Sequence, residues 1–253
     1  MELLSKLIFV CPLLFMAGVI DGISGGGGLI ALPTYIMTGM PMNFAYGCNK
    51  MQSGIGTFAA LVKYMKSGFV DLKAALISAA TAIIGALVST RIMLTLDDGT
   101  IKIIIVVAMC FIITLMLLMN KVKSGQTTKI ELNRQNILRC LAVGLVLGLY
   151  DGFFGPGGGT IALMLFAIIF KYDVRTGTGN GKVIIVVSNF IALINYIIEG
   201  SILYEIAIPA TIANVLGSWL GANLAVKNGR KLVKKMMMAV AVILVIQAVT
   251  KLA

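Results

Sequence analysis

Two short stretches hold most of the chemistry open to this sequence. Residues 21–33, DGISGGGGLIALP, place an aspartate and four consecutive glycines after an apolar run, and residues 151–163, DGFFGPGGGTIAL, repeat the device. Glycine weakens a helix by about 1 kcal/mol per residue relative to alanine, so each cluster breaks a greasy helix. A helix restarts after each break, and free amides at a helix N-terminus carry about half a positive charge and attract anions. Gly25, Gly26, Gly27 and Gly28, with Gly155, Gly157, Gly158 and Gly159, are therefore candidate anion-binding residues. Glycines also serve tight helix crossing, but four in a row exceed what crossing needs. Neither stretch ends in Gly-Lys-Ser/Thr within a strand-to-helix unit, so a nucleotide-binding loop is a poor match.

Two further stretches each place one lysine near the start of an apolar helix: YGCNKMQSGIGT (46–57) and TGTGNGKVIIVVSN (176–189). A lysine inside a membrane segment costs several kcal/mol, of order 2.5–3.5, unless it snorkels, pairs or binds an anion. Glycine, asparagine and glutamine around Lys50 and Lys182 would be odd at a lipid surface, which favours anion binding. Asn49, Gln52, Thr57, Ser188 and Asn189 offer further donors within one or two turns. Asp21 and Asp151 admit three roles: balancing the lysines, carrying a coupling proton, or capping the helix after the glycines. Tyr64 and Tyr196, near helix ends, read as an interfacial belt. Arg91 and Trp219 read as interfacial anchors, and the methionines of 235–240 as core filling.

These residues must be positioned by helices in lipid. Of the 253 residues 59% are hydrophobic and only 12% charged, with a mean hydropathy of +1.00. Soluble domains carry about 25% charged residues, so most of this surface must face lipid. The net charge of +11 comes from cations clustered between apolar runs, a topology signal rather than a nucleic-acid footprint. There is no histidine, and Cys11, Cys48, Cys110 and Cys140 form no Cys-x-x-Cys pair; a bound metal, haem or other cofactor is not expected. The first 20 residues resemble a leader but lack a small-x-small cleavage site, and their continuation recurs mid-chain, so they belong to the fold.

The recurrence is chain-wide. Asp21 aligns with Asp151 at an offset of 130, and beyond the glycines an offset of 132 aligns Lys50 with Lys182, Gly68 with Gly200 and Gly85 with Gly217. Each half holds about five apolar segments: 3–20, 29–39, 46–66, 71–94 and 100–119, then 135–149, 159–170, 179–198, 203–225 and 232–252. Those after the glycines have about a dozen residues, enough at 1.5 Å each for half a membrane. The glycines thus read as tips near the bilayer midplane, joining partial helices that line a cavity. Loops 120–134, 226–235 and 62–73 are basic and should be cytoplasmic, whereas 199–205 is acidic and should lie outside. The repeat-equivalent loops around Gly68 and Gly200 then fall on opposite sides, the plan of inverted repeats. The expectation is an all-α polytopic membrane protein of two inverted-topology repeats with short Gly-tipped broken or re-entrant helices. Repeat one covers 1–120, a basic cytoplasmic linker 121–134 and repeat two 135–253, with both termini outside.

The glycine stretches, GCNKMQSGIGTFAALVKYMKSGFVD and GNGKVIIVVSN together resemble the TauE/SafE sulfite exporter family, also called the toluene-sulfonate uptake permease family, over essentially the whole chain. The resemblance implies a carrier in the cytoplasmic (inner) membrane for sulfite, sulfonates or similar sulfur-containing anions, driven by the proton gradient. Gly25, Gly27, Gly28, Asn49, Lys50, Gly155, Gly157, Gly158, Lys182, Ser188 and Asn189 match its motifs. Cys48 stands where that family commonly has threonine, and TGTGNGK stretches the second motif. The expected partners are a small anion and membrane lipid, with no nucleic acid. An anion channel on the same half-helices or a permease for another small organic anion is the alternative. An enzyme, which would need Cys48 as nucleophile, is not expected, and paired lysines argue against a cation permease.

Overall fold

The apolar segments separated by glycine, proline and charged turns become helices throughout the computed structural model, which describes residues 3–119 and 125–252. Among these are nine helices: α1 (Leu3–Ser24), α2 (Gly28–Met37), α3 (Met42–Lys66), α4 (Leu72–Leu94), α5 (Asp98–Met119), α6 (Arg134–Phe153), α7 (Gly158–Ile169), α8 (Val174–Ile198) and α9 (Tyr204–Leu252). The described residues form no strand, only a single bridge between Thr127 and Tyr172. Helices α1, α4, α6 and α8 are each long and apolar enough to cross a membrane. Their outward side chains, such as Leu76, Ile84 and Ile198, are exposed, while Ser78, Ser89, Asn189 and other polar groups are buried. Apolar outside and polar inside is the distribution a lipid solvent demands. The chain is an all-α, multi-pass membrane protein.

Several expected boundaries move. α1 runs to Ser24 and α6 to Phe153, so the break is narrower than the glycine runs, and each aspartate sits in the last turns of the helix before it. At 22 residues, α1 spans about 33 Å and is no partial helix; α2, with 10 residues, and α7, with 12, cover about 15 and 18 Å. α3 and α8 begin at Met42 and Val174, absorbing small-residue stretches expected to precede them and committing those amides to the helix ladder. The expected loop at 226–235 is instead interior to α9, a 49-residue helix that also takes in the expected separate segment 232–252. Lysine, leucine and valine keep enough helix propensity there to carry the chain past Gly229. Of the expected linker, residues 121–124 lie outside the described residues; the methionine side chains of 236–238 do too.

The helices cross at small residues. α1 packs chiefly on α9, α6 on α4, α3 on both α8 and α9, and α8 on α4. A Cβ at Gly18 or Gly22 would collide with the α9 backbone at Asn214 or Ser218, and one at Gly144 or Gly148 with α4 at Ser78 or Ala82. Backbones meet this closely only where side chains are absent. Asn214 secures the first crossing by donating from Nδ2 to the Leu14 carbonyl at 3.1 Å.

Candidate functional site

The breaks in the two halves meet. Gly25 (φ +78°) would place a Cβ only 2.5 Å from the Cα of Gly159, and the Thr160 hydroxyl donates to the Ser24 carbonyl at 3.4 Å. A positive φ is strained for any residue but glycine, and the close approach bars a side chain as well. Beside this junction lies a small polar cavity, with room for about one water-sized occupant. Its walls are Gly25, Gly28, Gly155, Gly157 and Gly159 from the breaks, Asp21 and Asp151 from the helices before them, Asn49 and Ser53 from α3, and Ile185 and Asn189 from α8. Those side chains lie in the middle stretches of two 25-residue helices.

The amides of Gly26, Gly27, Gly28, Gly157 and Gly159 find no backbone acceptor among the described residues. Buried backbone donors are almost always paired; three of these five amides, those of Gly28, Gly157 and Gly159, belong to residues that line the hollow, beside the Asp21 and Asp151 carboxyl groups, and unmet amides at a helix start can take an anion. Neither α2 nor α7 has a side-chain cap; the capping role open to the aspartates is not met, because each sits six residues before the cap position, at Gly27 and Gly157.

The lysines cross between the halves. Lys50 of α3 donates from Nζ to the main-chain carbonyl of Asp151 and lies 3.4 Å from its Oδ2. Lys182 of α8 donates to the main-chain carbonyl of Asp21 at 2.8 Å and lies 3.8 Å from its Oδ2. Each ammonium therefore satisfies the C-terminal end of a broken helix, the end that carries partial negative charge. Both lysines are fully buried, which excludes snorkelling. One departure from symmetry follows: the Thr57 hydroxyl donates to Asp21 Oδ2 at 2.8 Å, and no described hydroxyl or amide donates to the Asp151 carboxylate besides Lys50.

Not every candidate reaches the cavity. Gly26, Gly27 and Gly158 stand just behind its wall; Gly158 packs beside Asp151 Oδ1 and Ile185. Lys50 and Lys182 lie one layer out, behind the aspartates they hold. Gln52 turns away and donates to Asn49 Oδ1 at 3.0 Å. The Ser188 hydroxyl is buried without a partner among the described residues and does not line the hollow. Ser53 and Ile185 do line it although neither was singled out; Ser53, one turn after Asn49, was legible from helical spacing alone. Tyr64 and Tyr196 are buried rather than interfacial. The Tyr64 hydroxyl donates to the Gly22 carbonyl at 3.3 Å, while that of Tyr196 has no partner among the described residues. Cys48 is sealed against the Leu203 carbonyl, away from the cavity. Arg91 and Trp219 are exposed, as anchors should be.

The family model for the sulfite exporter TauE/SafE matches residues 10–248. This chain belongs to the TauE/SafE family. Its relatives include a probable membrane transporter protein of Haemophilus influenzae, 29% identical over 231 residues that cover 88% of this chain and 86% of the relative. The probable membrane transporter protein ORF9 of Sinorhizobium sp. is 30% identical over 246 residues, covering 95% and 91%. YfcA of Escherichia coli K12, also named a probable membrane transporter protein, is 26% identical over 252 residues, covering 96% and 93%. No solved structure matches the chain. A TauE/SafE protein of this length and coverage is a membrane transporter.

Proposed function

We propose that this TauE/SafE member is a secondary transporter moving a small sulfur-containing oxyanion, such as sulfite or a sulfonate, across the cytoplasmic membrane by alternating access. Two inverted repeats, 1–120 and 135–253, rock about the glycine junction, and the linker 121–134 and the Gly68 turn face the cytoplasm, with the N-terminus outside; a C-terminus on that same side would need a reversal at 226–235 that the continuous α9 does not make. The observation that carries the reading is the junction itself: glycine amides from both helix breaks, those of Gly28, Gly157 and Gly159, without a backbone acceptor around one hollow, backed by two buried lysines. An oxyanion takes the place of water for those amides, and an anion with three or four oxygens can accept from both breaks at once. Reciprocal packing between the halves, α1 of the first on α9 of the second as α6 of the second on α4 of the first, fits the repeat symmetry and puts the main helix contacts across the two repeats. The hollow is small, with room for about one water-sized occupant, which favours a carrier over an open channel.

Purified protein mixed with sulfite, thiosulfate, methanesulfonate or carboxylates should show a ranked thermal shift, since a ligand at 100 times its Kd stabilises by about 2.7 kcal/mol. In proteoliposomes Lys50→Met and Lys182→Met, which keep the stem and remove the charge, should each slow flux of the best anion at least about tenfold, or roughly 1.4 kcal/mol. Wild-type flux in both variants, or no shift with any anion, would overturn the reading.

A further inference from the structure

Within this anion-site reading, we propose that Asp151 takes up one proton whenever a monovalent anion enters the cavity, while Asp21 stays ionised as a fixed counter-charge. The charges facing Asp151 from every neighbouring element can be enumerated among the described residues. α3 contributes Lys50, at 3.4 Å. α1 contributes Asp21 across the shared hollow, and α8 contributes Lys182, which is engaged with Asp21 at 3.8 Å. α4 presents only the hydroxyls of Ser89 and Thr90, the latter bonded to the Gly152 carbonyl at 3.2 Å. On its own helix Tyr150 is committed to the Pro156 carbonyl at 2.7 Å, and α7 brings no charge beside Gly158.

Two lysines and two aspartates make the empty site electrically neutral. A monovalent anion arriving without company leaves a net charge of minus one in a water-poor interior, which is strongly unfavourable. Neutrality returns if one carboxylate binds a proton from solvent: the carboxylate oxygen forms an O–H bond, and no other bond is made or broken. The two carboxylates differ in what they hold on to. Asp21 keeps the Thr57 hydroxyl bond at 2.8 Å whichever way Lys182 points. Among the described residues Asp151 has only Lys50, the same ammonium that the incoming anion attracts. Once Lys50 turns to the anion, the Asp151 carboxylate is buried, 1% exposed, and without a donor, the condition in which a carboxyl group accepts a proton. The site thereby links one proton to one anion through a single shared lysine.

The test uses methanesulfonate, a strong-acid anion with no proton of its own to give or take near neutral pH. Titration calorimetry of the wild-type protein in buffers of differing ionisation enthalpy should give about one proton taken up per anion bound, and above neutral pH the affinity should fall up to about tenfold per pH unit. Infrared difference spectra on adding methanesulfonate should show a new protonated-carboxyl band. That band should move in Asp151→Glu and stay in place in Asp21→Glu, because glutamic and aspartic acids absorb at different frequencies. Binding without proton uptake in the wild type overturns the assignment without needing any variant, and a band that moves in Asp21→Glu instead also overturns it. Failure of the wild type to bind any anion would sink the anion-site reading itself, a distinct result.

Discussion

At the level of single residues the two breaks are held by opposites, backbone with nothing attached and buried side chains with full charge. Gly25→Ala would have to adopt φ +78° and intrude on Gly159; it should cost about 1–3 kcal/mol of stability from strain alone. Thermal unfolding should register that loss and flux should fall, whereas Gly39→Ala, also at positive φ but with open space around it, should cost the strain and leave flux intact. Equal flux loss in both would remove the tip contact from the mechanism. The glycine runs and Lys50 and Lys182 were plain in the sequence, because glycine clusters and lone buried cations are rare in greasy helices. Which aspartate each lysine would choose was not, since the pairs cross between halves 101 and 161 residues apart. The tyrosines misled for a physical reason: a tyrosine one turn from a helix end looks identical whether its ring meets headgroups or, like Tyr64, a neighbouring carbonyl.

At the level of elements, the turns show what repetition preserves and what it discards. Gly68 and Gly200 close α3 and α8 in the same way, with Phe69 N–H bonded to the Tyr64 carbonyl at 3.0 Å and Ser201 N–H to that of Tyr196 at 2.9 Å, the six-to-one closure that a left-handed glycine permits. Beyond that closure they diverge. Asp71 Oδ2 accepts from the Ile130 amide at 2.9 Å and the Tyr172 hydroxyl at 2.7 Å, and the Asp71 amide donates to Asn180 Oδ1 at 2.8 Å. Burial pushes the Tyr172 hydroxyl well above its ordinary pKa, keeping it a donor. At the corresponding position of the other half stands Leu203, whose side chain offers no acceptor and whose carbonyl takes the Ile206 and Ala207 amides of its own helix and the Cys48 thiol. One end of the molecule is thus tied by polar bonds to the segment before α6, and the other is not. Asp71→Ala should destabilise the protein by about 1–3 kcal/mol by orphaning a half-buried amide and a buried phenol, and should expose residues 125–133 to proteolysis; Tyr172→Phe should do less of both. Unchanged cleavage in Asp71→Ala would mean the segment is held by something else. None of this was readable beforehand, because Asp71 in sequence is simply an acidic residue opening a helix.

At the level of the whole molecule, the helical membrane architecture was legible from composition and periodicity, and the half-length of α2 and α7 from spacing. The continuity of α9 was not: a basic, glycine-bearing stretch obeys the rules of a cytoplasmic loop and of a solvated helix alike. The inverted arrangement proposed above makes a direct prediction. In a cysteine-free background, Ser67→Cys and Glu199→Cys should react with a membrane-impermeant thiol reagent from opposite faces, Ser67→Cys only in inside-out vesicles. Reaction of both from one face would establish parallel halves and dissolve the pseudo-twofold view of the site.

The close seating of α1 on α9 carries a consequence for how the protein is made. The glycine face of α1, through Gly18 and Gly22, fits the backbone of a helix whose first residue is Tyr204. At about 5–20 residues per second of synthesis, α1 waits roughly 10–40 seconds for its mate. During that interval its bare groove faces acyl chains or a chaperone, and a chain stalled before α9 would present that groove to quality-control proteases.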